Sequence, residues 1–214
     1  MSWFQLDPES VASRVRSSGG PAGLPSLGAS LGRGIAGFTV VSVAGFAPWA
    51  LGERWFPSAV VMYAACALVF VALSGLLLHR LIIGPGSLAR FYKLFGVAFG
   101  AYSVAWIAGW MSLGGHKGSL VGLLAGTAAM GWILACAFDA RGAAPKVIAA
   151  LFVLNALGYF AGGWVEGSVA RFAPKTAAML LWGVCYGVGL GAGLGIAFHL
   201  CQAGARERLA AVQQ

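Results

Sequence analysis

Apolar residues along this chain fall into six long runs, at 34–51, 57–79, 94–113, 119–138, 147–164 and 177–200, separated by short stretches where Gly, Pro and charge collect. Each run is close to the roughly 20 residues a helix needs to cross a hydrocarbon core. None alternates apolar and polar positions with the period of two that a barrel strand requires. The pattern predicts an all-α integral membrane protein with six transmembrane helices. The first and fifth runs are short, which predicts modest tilt there.

The runs divide the chain into a tail over residues 1–32, a transmembrane domain over 33–201 and a second tail over 202–214. Within the first tail, DPESVASRVR predicts a short helix with Asp7 as N-cap, Pro8 at the first helical position, and Val11 and Val15 one turn apart. Trp3 and Phe4 could anchor that helix at the interface, or simply ride on a solvated tail. From there to Gly32 the text is Gly, Ser and Pro-rich and reads as linker. The first thirty-three residues hold no apolar signal core, and Asp7 and Glu9 speak against a transit peptide, so no cleavage is expected.

Two kinds of spacing suggest three tandem two-helix repeats. SVAGFAPW at Ser42 to Trp49 returns as SVAWIAGW at Ser103 to Trp110, and FAGGW ends at Trp164. In register, each of these tryptophans closes an odd-numbered run, at the depth where indole rings favour the headgroup boundary. His79, Asp139 and His199 close the even-numbered runs at a constant interval of sixty residues. The sixth run carries Gly183, Gly187, Gly191 and Gly195, a series that lets another backbone approach closely. The fourth has Thr127, Gly131, Ala135 and Asp139, and the second only Gly75 before His79. These series predict central even helices and peripheral odd ones.

Composition agrees with a bilayer: 59% of the 214 residues are hydrophobic, 9% are charged, and mean hydropathy is +0.83, against roughly 25% charged in soluble domains. Charge also sets an orientation. Arg54, Lys117, Arg171 and Lys175 fall on one side of the runs and the other ten Lys and Arg on the side of the termini. That asymmetry places both termini in the cytoplasm, as in a bacterial cytoplasmic membrane. The net charge of +8 is then matched by anionic headgroups and calls for no nucleic acid. Cys66, Cys136, Cys185 and Cys201 imply no disulfide framework.

Candidate chemistry is sparse. If the even helices surround the axis, His79, Asp139 and His199 converge near the cytoplasm with Cys136 one turn from Asp139, a donor set suited to a divalent metal. Alternatively His79 and His199 ligate a haem. Ordinary polar ends of three helices would give the same spacing. At the opposite ends, Glu53, His116 and Glu166 could form a vestibule for a polar solute, or be plain loop residues. Asn155 is the only amide within any run, placed either for solute contact or for a hydrogen bond between helices. Tyr63, Tyr102, Trp106, Trp132, Tyr159, Trp182 and Tyr186 are scattered one or two to a helix.

No Asp, Glu, Lys or Arg stands near the middle of any run, which disfavours an ion-coupled machine. There is no GxxxxGK loop and no converging Ser, His and acid set, so an enzyme is not expected. Three readings remain: a passive or weakly coupled pathway for a small neutral or apolar solute; an assembly subunit whose Gly and Ala faces pack on a second copy or a partner membrane protein; and a metal or haem protein.

Overall fold

The computed structural model describes residues 3–19, 24–52 and 55–212, and these are helical almost throughout. Eight α-helices follow in order: α1 (Pro8–Ser17), α2 (Leu27–Gly52), α3 (Ala59–Leu78), α4 (Ser87–Leu113), α5 (Gly115–Ala137), α6 (Ala144–Val169), α7 (Lys175–Cys201) and α8 (Ala203–Val212). A 3-10 turn, His79–Leu81, extends α3. The six helices α2 to α7 are long and apolar enough to cross a membrane. They run longer than the apolar text alone suggests.

The reason is clearest at α2, whose first turns were read above as linker. Ser26 Oγ accepts from the Ala29 N–H at 3.1 Å and starts the helix. Its small residues then face α7. A Cβ built on Gly195 would stand 2.6 Å from Ser30 O, one on Gly191 2.4 Å from Gly34 O, and one on Gly187 2.6 Å from Thr39 Cα. Glycine and serine here form a backbone-to-backbone seam that no larger side chain fits. On the opposite side of α7, a Cβ built on Gly189 would stand 2.4 Å from Leu154 O and 2.8 Å from Gly158 Cα of α6.

Neighbours in sequence pack side by side as a ring, and α2 closes it against α7 in the most extensive interface of the bundle. The hairpins α2–α3, α4–α5 and α6–α7 are each well packed, whereas the junctions between hairpins are unequal, with α3 and α4 meeting least. Burial follows: within their spans α7 is 61% buried and α5 50%, against 22–28% for the other four. Two of the even-numbered spans are therefore inner helices. The third, α3, lies on the rim, contrary to the expectation from its Gly75–His79 spacing.

Both ends of the described chain gather at one end of the bundle, here termed the terminal end; the other is the far end. Asp7 caps α1 by accepting from the Ser10 N–H at 2.9 Å. Val11, Ala12 and Val15 pack on Ala205 and Leu209 of α8 and on Ile83, while Leu6 is buried in the main core and Trp3 stays exposed. Glu9 pairs with Arg16 at 3.2 Å and with Arg208. Residues 203–212, expected as tail, are thus a helix clasped to α1.

Two buried polar side chains hold the connection between α3 and α4 beneath this clasp. Gln202 Oε1 accepts from the Ile83 N–H at 2.8 Å, and Nε2 donates to Leu81 O and Phe198 O. The Arg90 guanidinium donates to the carbonyls of Ile83, Gly84, Pro85 and Gly86 at 2.7–3.3 Å. These bonds satisfy the carbonyls of a turn that has no helical partners of its own.

Candidate functional site

The far half of the bundle encloses a cavity. Its outer chamber, about 580 Å³, is walled by Phe46 and Trp49 of α2, Tyr63 and Cys66 of α3, Trp106, Ile107, Trp110 and Met111 of α4, Tyr159 and Glu166 of α6, and Trp182 of α7. A smaller inner chamber of about 220 Å³ shares Phe46, Trp106, Tyr159 and Trp182 and adds Phe70, Phe99, Tyr102 and Tyr186. Together they form a funnel that narrows from the far end toward the middle of the bundle.

Aromatic rings fix its walls. Trp182 stacks on Tyr186 with centroids 5.2 Å apart, and Phe46 and Tyr159 meet Trp182 edge-on at 4.9 Å and 5.4 Å. Such contacts are worth about 0.5–1.5 kcal/mol each beyond their buried area. They hold the rings in place around empty volume, as in sites that are largely formed before a ligand arrives.

The floor is polar. Asn155, fully buried, donates through Nδ2 to the Tyr102 hydroxyl at 2.9 Å, and Tyr186 donates to the same oxygen at 3.2 Å. Ser119 and Tyr159 hydroxyls lie 3.1 Å apart nearby. Two groups are left over: the Asn155 Oδ1 acceptor and the Trp106 Nε1–H donor are both buried with no hydrogen-bond partner. A buried polar atom left unpaired costs about 1–3 kcal/mol, so this floor is matched to an incoming molecule that both donates and accepts. Glu166, at the rim, is the one charged residue among the described lining.

Beyond the floor the bundle is shut. Phe91, Phe95, Phe99 and Tyr102 repeat at helical spacing along α4 and stack ring on ring, with centroids 5.1, 5.1 and 5.8 Å apart. Phe38 and Phe198 close on this column from α2 and α7.

The residues singled out in the sequence distribute as follows. Glu166 lies at the rim of the funnel, and Asn155 lies one layer behind its floor, bonded to Tyr102 and not itself part of the lining. His116 is exposed at the start of α5, beside Phe160 at 6.1 Å, and does not line it. Glu53 lies outside the described residues. His79 and His199 are at the terminal end, about 20 Å from Cys66 and about 26 Å from Trp182 along their helix axes at 1.5 Å per residue. Each has a buried, unpartnered Nδ1. Asp139 is exposed in a left-handed turn at φ 53°, and Cys136 is a half-buried free thiol. Among the described residues no three His, Cys, Asp or Glu side chains come together around one point. The physical cause is the rim position of α3, which shares no substantial interface with α5.

What the sequence pattern scattered, the fold collects. Of the aromatic residues counted one or two to a helix, Tyr63, Tyr102, Trp106, Tyr159, Trp182 and Tyr186 all line the funnel, and of the seven only Trp132, 54% exposed, does not. A signal was present. Each of the six lies in the half of its helix nearest the far end, whereas Trp132 lies in the other half. Comparison of the chain with protein-family models, with curated proteins and with solved structures gives no match.

Proposed function

We propose that this multi-pass membrane protein binds a small, neutral, mainly apolar solute in the aromatic funnel, and that the funnel is the open half of a passive or weakly coupled pathway. The observation that carries the reading is a donor and an acceptor, both buried and unpartnered: Trp106 Nε1–H in the wall of an otherwise apolar cavity, and Asn155 Oδ1 directly behind the Tyr102 that lines its inner chamber. A neutral solute is favoured because, among the described residues, no charge lines the cavity apart from Glu166 at its rim. Weak coupling is favoured because no Asp, Glu, Lys or Arg stands near the middle of a span. With both termini cytoplasmic, as the Lys and Arg distribution favours, the funnel opens to the outside. The phenylalanine column along α4 is the barrier that must part for passage, and it borders the loosest junction of the ring, α3 against α4. The three hairpins are read as copies of one unit whose packing has since diverged.

Assembly through the glycine faces is the weaker reading, because α2 and α6 already cover both glycine seams of α7 within one chain. Simple amides test the stronger one, since their N–H and C=O complement Asn155 Oδ1 and Trp106 Nε1–H. Benzamide should raise the unfolding temperature of the purified protein in micelles. Proteoliposomes re-swelling in acetamide or butyramide should outpace protein-free vesicles in stopped-flow scattering. Replacing Asn155 by leucine should weaken benzamide binding about tenfold, the equivalent of one hydrogen bond. Identical swelling with and without protein for every neutral solute tried would remove the pathway.

A further inference from the structure

The funnel has a side as well as a mouth. On the half of the ring nearest the terminal end, α3 and α4 touch closely: the Tyr92 ring covers Gly75, where a Cβ would stand 2.0 Å from Cζ, and its hydroxyl donates to Ala72 O at 2.7 Å. Near mid-bundle Phe70 stacks on Phe99 at 5.7 Å. Toward the far end the two helices part. Tyr63, Ile107, Trp110 and Met111 line the outer chamber and are at the same time 47–73% exposed on the outside of the bundle. Ala67 likewise lines the inner chamber and is exposed. Residues that face both a cavity and the surroundings mark its opening, and this opening lies on the flank of α3 and α4, where a membrane-spanning bundle meets acyl chains rather than water.

From this we infer that the funnel takes its ligand sideways from the lipid, through the α3–α4 slot, and that the ligand is a neutral single-chain amphipath. Its compact head, a primary amide or hydroxyl able to donate and accept at once, reaches Asn155 and Trp106. Its chain lies in the slot between Ala67 and Ile107. The inference rests on the binding site proposed above and specifies the class of molecule and its route. Three features select that class. Trp106 in the wall and Asn155 behind Tyr102 leave one donor and one acceptor to satisfy; among the described residues the lining has no cation to hold a phosphate or carboxylate head; and a slot open to lipid leaves room for a chain that a closed cavity would exclude.

The test compares one head group with and without a chain. In proteoliposomes, a diazirine-bearing palmitamide is photolysed and the adducts mapped by mass spectrometry; benzamide binding is followed in parallel by thermal shift. The expected result is saturable labelling on slot residues such as Tyr63, Ile107 and Met111, suppressed by excess unlabelled palmitamide. The substitution Ala67→Trp, which fills the slot without removing a hydrogen bond, should reduce that labelling about tenfold while the protein still folds with normal helix content. Labelling that is not saturable, or is unchanged by Ala67→Trp, in a protein that still responds to benzamide overturns lateral access and leaves the binding site standing. Failure of both amides removes the site itself.

Discussion

Replacing Gly191 by leucine is expected to leave no folded bundle. Gly191 and Gly34 face each other so closely that a single added carbon on either would stand 2.3–2.4 Å from the other's carbonyl oxygen. The obstructing atoms are backbone, so no rotamer change can relieve the clash. The helices must separate. Separation of α2 from α7 forfeits the dispersion contacts of the largest interface in the ring and disturbs the seam that α7 shares with α6. Overpacking that side chains can absorb costs about 1–3 kcal/mol, and this case exceeds that range. Thermal unfolding in detergent micelles, read by circular dichroism and size-exclusion elution, should show loss of the native transition. Gly96→Ala and Gly100→Ala on α4 are the controls: nothing lies within 4 Å of an added Cβ at either position. They should change stability by less than about 1 kcal/mol, in the stabilising direction that alanine gives within a helix. A Gly191→Leu protein that melts like the parent would rule out the close α2–α7 approach.

Arg90→Met should be the most damaging substitution outside the glycine seams. The arginine is 6% exposed, and its guanidinium serves four successive carbonyls of the turn between α3 and α4. Methionine keeps the apolar stem and removes every donor. The abandoned carbonyls then need water, and that of Ile83 lies in the cluster buried between α1 and α8. The loss should be about 3 kcal/mol, the scale of a few charge-assisted hydrogen bonds net of rehydration. It should be accompanied by faster amide exchange over residues 83–86 and by release of α1 from α8, which Ile83 joins. Arg90→Lys should recover only part, since one ammonium cannot reproduce the separate Nε and Nη2 donors that the guanidinium sets against these carbonyls. Unaltered exchange in Arg90→Met would mean that the turn holds itself.

Chain position reveals depth in a membrane protein, and depth was legible. The six crossings follow from run length alone, and the polar aromatic residues of the funnel can be seen to share one level. Rotation about the bundle axis was not legible, because apolar residues surround most of each helix and no single face is marked for the interior. His79, Asp139 and His199 illustrate the difference. Their sixty-residue spacing sets them at similar depth, but α3 lies on the rim, so equal depth does not bring them together. The start of α2 failed for another reason: LGASLG, up to Gly32, reads as linker by the rules of aqueous chains, where glycine is costly in a helix. Between two membrane helices the same residues are the means of close approach, and Ser30 and Gly34 are buried against α7. Asn155 was identified as either a solute contact or a strut between helices. Its amide nitrogen holds Tyr102 while its oxygen is left for another partner.

The clasp between α1 and α8 has a bearing on biogenesis. Val11 and Val15 leave the ribosome first but find Ala205 and Leu209 only after all six long helices have been made and inserted. Throughout synthesis the early amphipathic segment therefore presents an uncovered greasy stripe, and a chain that stalls or inserts a crossing the wrong way round cannot cover it. Closure of the clasp thus registers that all six long helices have been made and threaded in the right order, and an unclosed one displays the kind of surface that membrane proteases recognise.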